Sequence, residues 1–360
     1  MVYKRRLIKK HIMFIAVLFL ICYIPTAYKV FASEDNKSIC NNTADDAVYY
    51  LLKAANQDMS KDYYISEQFE IKKDAKKGET IAFVFDEKRC VGEILSSCSK
   101  GGYVFLQEKC GEITDIFKDK KKVAVIRIDS DHICVQCENS KEVLCLYGTF
   151  ENMEQFQNIA DQYIEISLRH LVFDGDEKKG EKAVIDENKL LNVPLIANDT
   201  SPDTQDGLCW AASILSIVKY SCTTSITTAL GLYNSLKAAF NPEYNGYPEG
   251  IPMWEERAFN LLNYSITNYD YSIGMSFSYV KSIIDSGKPI FAGLFANSTQ
   301  IEDHGVVVCG YSRFSNTGLI TYYYYTLMDP NSSNYVIVAV PGTGTNFTYG
   351  SYYIWGRHYY

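Results

Sequence analysis

Histidine is scarce in this chain, with five among 360 residues, so chemistry that needs an imidazole has few places to occur. Basic charge is also short: 35 Lys and Arg stand against 43 Asp and Glu, a formal charge of -8. A nucleic-acid partner needs a basic surface to meet its phosphates, and this balance argues against one. Apolar runs of membrane-spanning length are missing as well. The run from Ile12 to Ile24 is short of the roughly 20 residues that a spanning helix requires. Metal-ligand spacing is thin too. Cys134-Val135-Gln136-Cys137 has no second pair at a zinc-like interval; Cys145 or His132 could add ligands, but the pattern is weak. No metal and no cofactor is therefore expected.

What the N-terminus does contain is a basic cluster, Lys4, Arg5, Arg6, Lys9 and Lys10, followed by the Ile12 to Ile24 run and then Val30-Phe31-Ala32. That layout predicts a secretory signal over residues 1–32, cleaved after Ala32, with a retained membrane anchor as the alternative. The expected product is secreted or held at the cell surface, with no stable membrane association once the signal is gone. The segment carries six Lys or Arg and no acid, so its loss moves the formal charge from -8 to -14. Export permits disulfides, yet the ten cysteines that remain specify no pairing.

Charge density divides the rest. Residues 33–192 hold 22 basic and 31 acidic residues, residues 193–360 only 7 and 12. In the first part, strand-like runs at Ile81 to Phe85, Tyr103 to Leu106, Val123 to Ile128 and Val143 to Leu146 alternate with turn-forming stretches. Helical patterns at Ala47 to Asn56 and Met153 to Tyr163 flank them. Residues 33–173 thus read as a small α+β domain. Residues 174–192, opening with Asp174-Gly175-Asp176-Glu177-Lys178-Lys179-Gly180, read as an exposed, cleavable linker with Lys178, Lys179, Lys182 and Lys189 as cutting points. In residues 193–360, helical stretches come first and strands afterwards, at 289–294, 304–311, 319–328 and 335–340.

Within that second part, Ala211, Ile214, Leu215 and Val218 share one helical face, so a buried helix should begin near Cys209. A thiol in a first turn sits among unsatisfied backbone N–H groups that favour its thiolate. His304 opens the apolar run Val306-Val307-Val308-Cys309, and Asp329 ends a strand-like run just before Pro330. Cysteine, histidine and an acid at element edges are the components of nucleophilic acyl transfer. The other histidines are weaker candidates for the base than His304. His11 leaves with the signal, His132 and His170 precede the linker, and His358 is third from the end. Cys222 and Cys309 read as core thiols.

Taken in order, Gln205-x-x-x-Cys209-Trp210-Ala211-Ala212, then His304 before a run of valines and Gly310-Tyr311, then Asp329-Pro330-Asn331, resemble the papain-like cysteine peptidases. The likeness is to their small bacterial branches, of the staphopain, streptopain, bacteriocin-processing and plant-effector types, and covers roughly residues 190–360. It implies an α+β fold in which N-terminal helices and a C-terminal antiparallel sheet flank a cleft. It also implies Cys209 as nucleophile, His304 as base and acid, Asp329 as orienter and Gln205 as oxyanion donor. Two positions stay open: Asn198 for the donor, because Gln205 is only four residues before the cysteine, and Asn331 for the orienter. The resemblance further implies a zymogen whose N-terminal domain is a propeptide acting as an intramolecular inhibitor. The expected product is a monomeric endopeptidase with a peptide or protein substrate. The same thiol and base would serve a papain-fold peptidoglycan amidase or acyltransferase, and a non-catalytic extracellular binding or adhesion protein is the non-enzymatic alternative.

Overall fold

Strong β-formers at alternating positions in the first half and valine-rich runs in the second build mainly sheet, and the helices cover it. The computed structural model describes residues 44–72, 79–97, 102–128, 132–147, 160–173, 185–200, 207–240, 252–266, 269–270, 275–296, 302–315, 321–340, 347–349 and 353–360. The first part holds α1 (Ala44–Ala54), β1 (Tyr63–Ser66), β2 (Phe69–Glu70), β3 (Glu79–Asp86), β4 (Arg89–Ser97), β5 (Gly102–Leu106), α2 (Cys110–Lys118), β6 (Lys122–Arg127), β7 (Ile133–Cys137), β8 (Val143–Tyr147), β9 (Ile164–Glu165), β10 (Leu168–His170) and β11 (Ile185–Leu190). The second holds α3 (Cys209–Ser221), α4 (Ala229–Phe240), α5 (Pro252–Leu261), β12 (Tyr269–Asp270), α6 (Phe277–Asp285), β13 (Ile290–Ala296), β14 (Glu302–Ser315), β15 (Thr321–Met328), β16 (Tyr335–Val340), β17 (Thr348–Tyr349) and β18 (Tyr353–Tyr359).

The protein is α+β, with a large antiparallel sheet of fourteen strands ordered β10-β1-β3-β4-β5-β16-β15-β14-β13-β18-β12, to which β11, β17 and β2 attach. A second sheet runs β8-β7-β6-β9. The large sheet crosses both parts of the chain, because β5 pairs with β16 through Val104 opposite Val338 and Phe105 opposite Ile337. Strand β14 is its spine. It pairs with β13 near its start and with β15 from Val307 onward, and it accepts β11 along Gly310 to Ser315. Residues Ile185–Leu190, at the end of the stretch read as a linker, are therefore laddered into the sheet. Lys189 among them donates to the carbonyl of Asp285 at 2.8 Å. Residues 174–184, with Lys178, Lys179 and Lys182, lie outside the described residues.

Helix α3 is the buried one: Cys209 to Val218 are all buried, and it packs on β13, β14, α4 and α5. Its all-round burial explains why Ser213 and Ser216 each spend their hydroxyl on a nearby carbonyl, Gly305 O and Ala212 O. Among the described residues no helix is long and apolar enough to cross a membrane. Residues 1–32, expected to be a secretory signal, fall outside them, as do residues 153–159 of the helix expected from Met153 to Tyr163; residues 160–163 are not helical. One cysteine reading changes. Cys222 is exposed, because it follows the last turn of α3 in extended backbone and points away from the core. Cys134 and Cys137 both sit on β7, three residues apart on an alternating strand, so they face opposite sides, and Cys134 is instead the cross-strand neighbour of Cys145.

Candidate active site

Three segments meet at the start of α3. The helix begins at Cys209, and Leu208 before it offers no side-chain cap to the backbone donors of the first turn. Strand β14 passes so close that a methyl group added at Gly305 would stand 2.9 Å from Trp210 Cα and 3.1 Å from its nitrogen. Only glycine lets the two backbones approach this far. Gly305 is then tied to the helix twice: its N–H lies 3.4 Å from Cys209 Sγ, and its carbonyl accepts from Ser213 Oγ at 2.8 Å.

That contact delivers the preceding residue, His304, to the thiol. The imidazole is hydrogen-bonded through Nε2 to Asp329 Oδ1 at 2.8 Å, and it lies close enough to the Cys209 sulfur to interact with it electrostatically. Asp329 directly follows β15, and β15 lies beside β14, so the ladder itself sets the carboxylate next to the ring. Burial disfavours the His304 imidazolium. The charges of Asp329 and Cys209 and the hydrogen bonds to both outweigh it, and the pKa stands well above the ordinary histidine value. His304 and Asp329 are almost sealed, at 2% and 0% exposure, and Cys209 is only 9% exposed.

Asp329 has further donors. The backbone N–H of Asn331 reaches Oδ1 at 2.9 Å, and the hydroxyl of Tyr147, from the end of β8, reaches Oδ2 at 2.7 Å. A carboxylate with donors on both oxygens is held in one orientation. Glu108, just before α2, accepts from Ser332 Oγ and from the backbone of Ser333, and takes Ser333 Oγ at 2.7 Å and the Asn334 N–H at 3.2 Å. The turn that follows Asp329 is thus clamped by a residue from the first part of the chain. Neither Tyr147 nor Glu108 stands out in the sequence. Their partners lie 182 and about 225 positions away, and no local pattern signals such a contact.

The alternatives left open by the sequence occupy different places. Asn331 Oδ1 accepts from Asn198 Nδ2 at 2.7 Å, so the Asn331 side chain is engaged away from the imidazole. Asn198 is also anchored by its backbone N–H to Pro330 O at 2.9 Å, and its amide lies against Gly207, two residues before the thiol. Its Oδ1 is buried without a hydrogen-bond partner. Gln205 lies outside the described residues. His170 is exposed beside Asp62, and His132 lies near Cys145. Cys309 is fully buried, and its thiol pKa is pushed far up by that burial. Compared with models of known protein families and with curated proteins, the sequence matches none.

Proposed function

We propose that this chain is an exported cysteine endopeptidase of papain-like type, acting through Cys209, His304 and Asp329. The observation that supports the reading is the buried His304–Asp329 hydrogen bond at 2.8 Å beside the Cys209 thiol, which stands at the start of a buried helix without a side-chain cap. In this reading His304 takes the thiol proton and Cys209 attacks a peptide carbonyl. The proton passes to the leaving amine as the thioester forms, and water then releases the acid. The oxyanion is met by the Cys209 N–H together with a side-chain amide, for which Gln205 and Asn198 are the two candidates.

The near-closure of Cys209 and His304 supports a precursor whose N-terminal part, residues 33–173, keeps the site shut. A second reading is favoured by the Tyr147 to Asp329 hydrogen bond and the β5–β16 pairing: there the N-terminal part is a permanent buttress of the acid. Incubating purified full-length chain beside Cys209→Ala tests both. The precursor reading expects self-cleavage, absent in the variant, with the new N-terminus before the β11 ladder. An intact chain that hydrolyses peptides supports the buttress. A chain that does neither, with Cys209 unreactive, removes the peptidase proposal.

A further inference from the structure

A second cluster of reactive side chains lies away from Cys209 and takes no part in the chemistry above. Cys90 is the second residue of β4, Glu93 follows three positions later, and Cys110 is the first residue of α2. On a regular strand Cys90 and Glu93 would face opposite sides. The ladder with β3 instead runs Val84 to Gly92 and then Phe85 to Cys90, so Val91 is an extra residue, and this bulge turns both side chains the same way. Gly92 stands beside the bulge, and an added methyl group there would collide with the Phe105 ring.

The two sulfurs and a Glu93 carboxylate oxygen all lie within 4.8 Å of one another. Bound tetrahedrally to zinc, with metal–sulfur bonds of about 2.3 Å, two thiolates stand about 3.8 Å apart, so small side-chain adjustments would close such a site. Glu93 supplies the second, independent sign. Its side chain is 0% exposed, and neither carboxylate oxygen has a well-formed hydrogen bond, although the backbone N–H groups of Lys109 and of Glu93 itself lie near. A buried carboxylate left this way is costly unless a cation or a proton neutralises it. A cavity of about 390 Å3, lined by Cys90, Cys110, Gln107, Thr114 and Asn334, reaches the thiols and gives an ion its way in.

We propose that Cys90, Glu93 and Cys110 form a binding site for a zinc-class divalent cation, with the fourth coordination position facing the cavity. Two soft thiolates with one carboxylate select zinc over magnesium or calcium, which prefer all-oxygen ligands. All three groups bind deprotonated, and the protons they release pass to solvent. The ion would also stiffen the segment 107–110, whose Glu108 clamps the turn after Asp329. The site stands independently of the peptidase reading.

Reduced, metal-free full-length protein titrated with Co2+ tests it. The expected result is a thiolate-to-cobalt charge-transfer band with tetrahedral d–d absorption, reversed by Zn2+. Both should vanish in Cys90→Ser/Cys110→Ser and persist in Cys134→Ser/Cys145→Ser, the other neighbouring thiol pair. Glu93→Gln imitates the protonated acid. It should weaken Zn2+ binding by more than the roughly 10–100-fold typical of changes around, rather than in, a coordination shell. Where the double variant does not fold, peptide mapping of the wild type decides: Zn2+ should protect Cys90 and Cys110 from iodoacetamide and leave Cys222 unprotected. A band that survives loss of Cys90 and Cys110, Zn2+ affinity indifferent to Glu93→Gln, or alkylation unchanged by Zn2+ would each overturn the proposal. So would isolation of the pair as a disulfide whose reduced form takes up no metal.

Discussion

Tyr147→Phe removes one oxygen and keeps the ring, so it isolates the hydrogen bond from β8 to the buried acid. Asp329 is 0% exposed and has donors from His304, Asn331 and Tyr147, the last reaching Oδ2 at 2.7 Å. Hydrogen bonds to charged groups contribute about 1.5–3 kcal/mol, and removing one partner exposes the other to the full cost of its lost solvation. The variant should therefore lose about 1.5–3 kcal/mol in urea unfolding, with an unchanged slope. A second readout separates this loss from generic loosening. A carboxylate with fewer donors is a stronger acceptor, so His304 should hold its proton at least as firmly as before, and the alkaline limb of Cys209 alkylation should not fall. A stability change within about 0.5 kcal/mol, the range of neutral surface substitutions, would refute the contact. So would a limb displaced to lower pH.

Asp329→Asn should act in the opposite sense on that limb, because it removes the main charge that raises the His304 pKa. A raised folded-state histidine pKa gives stability that is full below the unfolded value of about 6.5 and is lost as pH rises through the folded value. The stability deficit of Asp329→Asn should hence be greatest at low pH and shrink at high pH, as read from urea midpoints across the range. Gly305→Ala pushes a methyl group onto the Trp210 backbone and should cost about 1–3 kcal/mol of overpacking. It should also slow Cys209 alkylation while Cys222 reacts as before. In the first part of the chain, Arg127 and Glu79 form an ion pair with both side chains 2% exposed. Arg127→Leu should cost about 3–5 kcal/mol by thermal or urea unfolding, and Arg127→Leu/Glu79→Leu should recover much of it.

Much of the second part is legible in the sequence because its signals are local. The apolar face running from Ala211 to Val218 sets the start of α3 at Cys209, and the run 335–340 matches β16 residue for residue. His304 and Asp329 can be assigned to strand ends because valines follow the one and a proline follows the other. The first part is less legible. Strands β1, β4 and β7 and helix α2 carry mixed polar sequences, and their burial comes from packing rather than from a clean period. The β5–β16 pairing joins residues more than two hundred positions apart, and the Tyr147 and Glu108 contacts span similar distances. The Cys90, Glu93 and Cys110 cluster is hidden for another reason: a bulge reverses the side that alternation would assign to Glu93. The exposure of Cys222 has no local sign either, since a thiol one residue past a buried helix reads as continuing its core face.

In the proposed peptidase the thiol of Cys209 and the imidazole of His304 work as a pair, and labelling of the thiol tests that pairing. Folded full-length protein, treated with a small thiol electrophile across pH and mapped by peptide, should carry the label at Cys209 far faster than at buried Cys309. His304→Ala should abolish the difference while leaving the fold intact by circular dichroism. Labelling of Cys209 no faster than of Cys309, or unaffected by His304→Ala, would contradict it.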